Sequence, residues 1–246
     1  MKLGVMQPYF FPYAGYFDLI DQVDRWIVFD TPQYIRHGWV NRNRILHPTT
    51  GWQYILVPLQ KHSRDAAIRE IRVKDNDWRD RILGQLNHYR KKAPYFAETC
   101  DLVRESLGGD DDRLCSINVR ILGAVCSRLG ISFNEKDVFS ELDLEIENVE
   151  GPGDWALEIG RAVGASEYIN PPNGKDLFDE ERFRDAGIEL VIQEFENLKY
   201  TCRGYEFEPG LSIIDCLMWR RPEEILDMLR AQRRGNAFAA SSGNDA

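Results

Sequence analysis

Residues 3–30 read L-G-V-M-Q-P-Y-F-F-P-Y-A-G-Y-F-D-L-I-D-Q-V-D-R-W-I-V-F-D, and this stretch decides the predicted fold. Residues 3–6 are apolar, and the run is short and stopped by proline, which indicates a buried parallel strand rather than a helix. A helical stripe follows, formed by Tyr16, Ile20 and Val23. Because residues 26–29 are apolar again, the stretch predicts a strand, a helix and a second strand with a right-handed crossover.

Later segments continue this alternation of strands and helices. The clearest amphipathic helix is Leu114–Leu129, which begins after Asp111 or Asp112 and stops at Gly130. Short apolar runs predict further strands at residues 131–133, 168–169 and 190–195. The pattern therefore predicts an α/β fold with an open, mostly parallel sheet flanked by helices.

One α/β domain is predicted over residues 1–230. Residues 34–73 have a β-like pattern with a turn at residues 48–51, and they predict a β-rich insertion after the second strand. Helical segments at residues 211–218 and 222–229 close the domain. Residues 231–246 become small and polar toward the end of the chain, and a flexible tail is predicted there.

Charge and cysteine content restrict the class of protein. The chain has 246 residues with a formal charge of -9 at pH 7, which argues against nucleic acid as the main partner. Five cysteines lack C-x-x-C spacing and four histidines are scattered, so free thiols of a reducing compartment are expected, with no metal site. No signal peptide and no apolar run of about 18 residues is present. We expect a cytoplasmic protein without a membrane span.

Two polar and aromatic segments are the candidate site. Q-P-Y-F-F-P-Y-A-G-Y occupies residues 7–16, and Q-Y-I-R-H-G-W-V-N-R-N-R occupies residues 33–44. Each follows a predicted strand, and ligands of such sheets bind at the carboxyl ends of the strands. On a strand, Arg42 and Arg44 would share one face and present planar forks that match carboxylate or phosphate. The same pattern would equally describe a solvated edge strand, and the aromatic residues would equally suit a hydrophobic core.

Candidate residues are assigned by role. Asp30 ends a buried strand, where a carboxylate needs a partner; it would pair with Arg36 or Arg42, or act as a base. The candidate catalytic residues are Asp30, Tyr13 and Tyr16. The candidate substrate-binding residues are Gln7, Tyr9, Gly15, Gln33, Tyr34, Arg36, Asn41, Arg42, Asn43 and Arg44.

At these residues the sequence resembles the WbqC-like family of bacteria. The resemblance extends from Leu3 to about Leu229, and it rests chiefly on M-Q-P-Y-F-F-P-Y-A-G-Y-F-D-L-I and Q-Y-I-R-H-G-W-V-N-R-N-R-I-L. It implies an association with surface-polysaccharide, lipopolysaccharide or O-antigen biosynthesis. It also implies transfer of glycine, or of another aminoacyl or acyl group, to a sugar.

A second resemblance concerns nucleotidylyltransferases and pantothenate-synthetase-like ligases. Their first strand leads into H-x-G-H, and Tyr13-Ala14-Gly15-Tyr16 has this spacing with tyrosine in place of both histidines. The resemblance implies a Rossmann-like (HUP) sheet and ATP with Mg²⁺ as candidate cofactor. The loss of both imidazoles removes the usual hydrogen-bond donors to a triphosphate.

Three hypotheses for the function follow. The first is an acyl or aminoacyl transferase, or an ATP-dependent amide ligase, whose small-molecule substrates are a sugar or nucleotide sugar and an amino-acid or acyl donor. The second is a non-catalytic protein that binds a nucleotide sugar or polysaccharide precursor. The third is a helper that associates with transferases. Because no Ser, Cys or His nucleophile motif is present, the alternatives stay open. The oligomeric state stays open too, with a homo-oligomer as one alternative.

Overall fold

The computed structural model describes residues 1–242; of Asn173, Lys175 and residues 236–242 only the backbone is described. The strands are β1 (Lys2–Met6), β2 (Arg25–Val28), β3 (Arg42–Leu46), β4 (Trp52–Leu56), β5 (Glu167–Asn170) and β6 (Glu189–Ile192). The helices are α1 (Ala14–Gln22), α2 (Trp78–Leu86), α3 (Phe96–Ser106), α4 (Leu114–Leu129), α5 (Asp154–Val163), α6 (Glu180–Asp185), α7 (Ile213–Trp219) and α8 (Pro222–Ser242).

Four parallel strands form the central sheet, in the order β2-β1-β5-β6. Alternate residues of each strand face opposite sides. Leu3, Val5 and Ile27 pack with α5 and α6 on one side, whereas Trp26 and Val28 belong to the larger core on the other side, which contains α1 and α4. The predicted α/β sheet flanked by helices is confirmed.

The β-rich insertion contains an antiparallel hairpin. Strands β3 and β4 pair only with each other among the described strands, with Asn43 opposite Ile55 and Arg44 opposite Tyr54. The C-terminal part of the chain holds this hairpin, because the Ser212 amide donates to the carbonyl of Arg44 (2.8 Å). A residue 168 positions away therefore fixes the strand that carries the candidate arginines.

The chain departs from two sequence predictions. Residues 131–133 form no strand; pairing with β2 occurs farther on, where the Val28 amide donates to the carbonyl of Asp137 (2.8 Å). Strand β6 ends at Ile192, three residues before the predicted end, so Gln193 follows it directly.

The segment predicted as a flexible tail begins within α8. Residues 231–242 of this segment belong to α8, and residues 243–246 lie outside the described residues, so the flexible tail stays a prediction. Arg230 and Arg233 of α8 form ion pairs with Asp21 of α1. Because these charges join the two helices, the first part of the predicted tail is held against the body of the domain.

Candidate functional site

A cavity of about 450 Å³ opens at the carboxyl ends of β1, β5 and β6. It lies where the strand order reverses, since the crossover from β1 leads to β2 on one side and the chain returns as β5 on the other. Parallel sheets bind ligands at such a position. The cavity lining includes six of the candidate residues, namely Tyr9, Tyr13, Gly15, Tyr16, Asn43 and Arg44.

Asn43 holds the turn that follows β1. Its side chain is buried, and its Nδ2 donates to the carbonyls of Phe10 (3.0 Å) and Phe11 (2.9 Å). Phe11 has a left-handed backbone with φ of 40°, an unfavourable conformation for a residue with a bulky side chain. The Nδ2 of Asn118 braces the same turn from α4 by donating to the carbonyl of Pro8 (2.8 Å). The aromatic turn is therefore a rigid wall of the cavity.

Arg44 supplies the positive charge of the cavity. Its guanidinium carbon lies 5.4 Å from the ring centre of Trp39 and 5.0 Å from that of Trp52, in cation–π contact with both. One Nη donates to the carbonyl of Gly210 (3.1 Å), whereas the buried Nε has no partner in the described part of the chain. Within residues 1–242 no carboxylate forms an ion pair with Arg44. The guanidinium thus retains donors for an anionic ligand.

The three tyrosines of the cavity keep their protons at neutral pH. Burial raises the pKa values of Tyr9 and Tyr13 and raises that of Tyr16 well above its ordinary value. The Tyr16 hydroxyl donates to the carbonyl of Gln7 (2.8 Å), so it fixes the end of β1. Gly15 allows the Tyr13 ring to approach α1, because an added Cβ would lie 2.4 Å from that ring.

The opposite wall carries amides that sequence reasoning did not assign to the site. Asn170 follows Ile169 in β5, and its Nδ2 donates to the carbonyl of Pro171 (2.7 Å). Gln193 follows β6 and donates to Asp18 of α1 (2.7 Å). Burial, the larger effect, raises the pKa of Asp18, while Gln193 and Arg233 oppose this. The position of both amides at the ends of parallel strands was the available sequence signal.

Asp30 and Arg42 lie outside this cavity. Asp30 accepts hydrogen bonds from the Ser140 amide (3.0 Å) and hydroxyl (2.6 Å), and the expected ion pair with Arg36 or Arg42 is absent from the described contacts. Arg42 donates to the carbonyls of His37 and Gly38 and stacks 4.2 Å from the ring centre of Tyr54. The expectation that Arg36 or Arg42 would pair with Asp30 is therefore wrong.

The other candidates form separate contacts. Tyr34 donates to Asn41 (2.8 Å), which donates to the carbonyl of Val57 (3.0 Å), and both side chains are buried. Gln33 and Arg36 are exposed beside a second cavity that also includes Tyr34. Gln7 is not part of the cavity lining; its carbonyl accepts a hydrogen bond from the hydroxyl of Tyr16, which is part of that lining.

Within the described side chains, no three His, Cys, Asp or Glu residues are grouped to hold a metal ion. None of the described helices combines the length and the apolar character needed to cross a bilayer. The five cysteines are buried and form no disulfide there; burial raises the pKa of Cys100 to about 11 and that of Cys216 to about 12.

Comparison with known proteins agrees with the sequence motifs. The WbqC-like protein family matches the chain over residues 7–227. Uncharacterized protein Rv1507c of Mycobacterium tuberculosis (strain ATCC 25618 / H37Rv) is 32% identical over 236 residues, which cover 95% of this chain and 99% of the relative. No solved structure matches. The chain belongs to the WbqC-like protein family, as its motifs predict.

Proposed function

We propose that this WbqC-like protein is an acyl or aminoacyl transferase of surface-polysaccharide (O-antigen) biosynthesis that forms an amide or ester on a sugar. The family resemblance supports this field of biosynthesis and glycine as a candidate acyl group. The strand order β2-β1-β5-β6, with a cavity where the order reverses, supports a Rossmann-like (HUP) sheet that binds a nucleotide.

The main support for this proposal is the position of the Arg44 guanidinium in the cavity lining and its lack of a carboxylate partner in the described chain. A cation that lines a cavity without a carboxylate partner in the described chain is matched to an anion from outside. The two tryptophans hold the guanidinium in place, so less freedom is lost when a carboxylate or phosphate binds. Tyr9, Tyr13 and Trp39 offer aromatic faces for a sugar or base in the same cavity.

With ATP as a co-substrate, the proposed reaction would have two steps. A carboxylate oxygen of the amino acid attacks the α-phosphorus, and pyrophosphate leaves. The sugar amine or hydroxyl then attacks the acyl carbon, AMP leaves, and the proton lost by the acceptor passes to solvent. The described residues offer no clustered Mg²⁺ ligands, so the nucleotide phosphates would hold that ion. In both steps Arg44 would hold a phosphate or carboxylate.

A non-catalytic binding protein is the second candidate. Within the described lining there is no Ser, Cys, His, Asp or Glu side chain. The tyrosine hydroxyls are poor bases at neutral pH because burial raises the pKa of each one. These facts favour direct attack by the acceptor without a covalent enzyme intermediate, and they equally suit a protein that binds a nucleotide sugar or polysaccharide precursor.

Calorimetric titration with ATP, UDP-sugars and glycine tests the anion site. We expect Arg44→Gln to weaken binding of a phosphorylated ligand about 10- to 100-fold, as for loss of a hydrogen bond to a charged group. Arg44→Lys keeps the charge without the fork and should lose less. Arg36→Gln is the matched control, because Arg36 is exposed at the second cavity.

Three outcomes separate the candidates. Pyrophosphate release that requires ATP and an amino acid would support the ligase reaction. Binding that depends on Arg44, without turnover in the presence of a sugar acceptor, would favour the binding protein. Equal affinity in wild type and Arg44→Gln would refute the anion site.

A further inference from the structure

Gln193 occupies a fixed position at the end of β6. Its main-chain N–H donates to the carbonyl of Asn170 (2.8 Å), and this bond continues the pairing of β5 with β6 by one residue. Its side chain is 3% exposed and lines the same cavity as Arg44. The backbone pairing fixes where this residue lies at the edge of the cavity.

Hydrogen bonds set the orientation of the Gln193 amide. Its Nε2 donates to the carbonyl of Gly15 (2.9 Å) and to Oδ2 of Asp18 (2.7 Å). A main-chain carbonyl can only accept, and so can an ionised carboxylate, so a flipped amide would face two acceptors with its own oxygen. Gln22 also donates to Oδ2 of Asp18 (2.7 Å), and Arg233 forms an ion pair with Oδ1, and both contacts favour the ionised carboxylate, which can only accept.

The oxygen of this amide is left without a partner. Oε1 of Gln193 is shielded from solvent, and no donor reaches it in the described part of the chain. Buried polar atoms nearly always have a hydrogen-bond partner, and each exception requires an explanation. Because the nitrogen is committed to α1, the oxygen is the polar atom that the amide can offer to the cavity.

We propose that Gln193 is a specificity-determining residue whose Oε1 accepts a hydrogen bond from a sugar hydroxyl of the ligand. The inference rests on the proposed function and deepens it: the ligand carries an anionic group for Arg44 and a hydroxyl for Gln193. A nucleotide sugar combines these two groups. Asp18 is a positioning residue in this arrangement, since its carboxylate holds the amide nitrogen away from the ligand.

Ligand analogues test this contact in the intact protein. UDP-glucose, UDP-galactose and UDP-N-acetylglucosamine are titrated first, and the tightest binder is compared with its monodeoxyfluoro analogues, in which fluorine cannot donate. We expect one substitution to weaken binding to wild type by about 10- to 100-fold, because the buried acceptor again lacks a donor. This measurement requires no variant to fold.

Gln193→Met then tests which residue accepts that hydroxyl. The same fluorine substitution should change affinity less than about twofold in this variant, as expected when two changes remove one interaction. Gln22→Met is the matched control, because Gln22 also donates to Oδ2 of Asp18 (2.7 Å) but is not part of the cavity lining. It should retain the wild-type sensitivity to fluorine.

The outcomes distinguish this inference from the proposed function. If binding depends on Arg44 while no hydroxyl matters, or the sensitive hydroxyl stays sensitive in Gln193→Met, the inference fails and the anion site stands. A structural water on Oε1 would give that result. If no UDP-sugar binds wild type, the nucleotide-sugar ligand fails, and this inference fails with it.

Discussion

Removal of the buried charge at Asp215 should change how stability depends on pH. Asp215 of α7 is 1% exposed and accepts hydrogen bonds from the hydroxyls of Tyr89 (2.6 Å) and Tyr200 (2.7 Å). The Tyr89 oxygen in turn accepts the amide of Leu46 in β3 (2.9 Å). This network therefore supports the strand that carries Arg44.

The magnitude follows from the pKa of Asp215. Burial raises this pKa from 3.8 to about 6, although the hydrogen bonds from the tyrosines lower it. At about 1.4 kcal/mol per unit of pKa, the difference between the folded-state and the ordinary pKa of Asp215 contributes about 3 kcal/mol to the free energy of unfolding when the carboxyl is protonated. Because the folded state binds the proton more tightly, this contribution is fully present below about pH 4 and is lost as pH rises through about 6.

Urea unfolding of wild type and Asp215→Asn at pH 4 and pH 7 measures the effect. The free energy of unfolding of wild type should fall, relative to that of the variant, by about 2.4 kcal/mol between these pH values, because about 0.5 kcal/mol is already lost at pH 4. Asn cannot ionise, but its oxygen can still accept from one tyrosine. Asp65→Asn is the control, because Asp65 is exposed. A difference between wild type and Asp215→Asn that stays constant with pH, or grows in favour of wild type at pH 7, would refute the reasoning.

Two further predictions concern the walls of the cavity. Asn43→Ala removes the side-chain donor of the buried carbonyls of Phe10 and Phe11 and the acceptor of the Arg44 main-chain N–H. The free energy of unfolding, measured by thermal and urea unfolding, should fall by about 2–4 kcal/mol. Unchanged stability would show that Asn43 does not hold the turn. Gly15→Ala should reduce ligand affinity and stability by about 1–3 kcal/mol, since the added Cβ lies 2.4 Å from the Tyr13 ring. Gly84→Ala in α2 is its control and should stabilise the protein by up to about 1 kcal/mol, because nothing lies within 4 Å of that Cβ.

Local pattern predicted the first β-α-β unit well. The apolar runs and the helical stripe between them correspond to β1, α1 and β2, and Gly130, with φ of 75°, ends α4 where predicted. The pattern failed at residues 131–133, because strand formation needs a neighbour and β2 pairs farther along the chain, at Val138. At the end of the chain, residues 231–242 continue α8, and Arg230 and Arg233 of this helix form ion pairs with Asp21.

Six of the predicted site residues line one cavity, and the others lie outside its lining. The proline-bracketed turn and the Asn/Arg segment meet at one cavity, as the rule for carboxyl ends of parallel strands predicts. Gln193 was missed because the predicted strand ran through it. The assigned roles of Tyr13, Tyr16 and the substrate-binding residues stay predictions, and Asp30 contacts Ser140 outside the cavity.

Arg42 and Arg44 show what sequence alone determined and what only tertiary structure decided. Alternation along a strand places both arginines on one face of β3, and the sequence determines this because it depends on neighbouring residues. Their partners come from distant parts of the chain or from loop geometry: Arg44 reaches Gly210 beside the cavity, whereas Arg42 turns back to His37. The carbonyl of Gly210 is 166 residues away from Arg44, so the local periodicity of the sequence cannot predict this contact. Only the folded chain shows which arginine can contact a ligand.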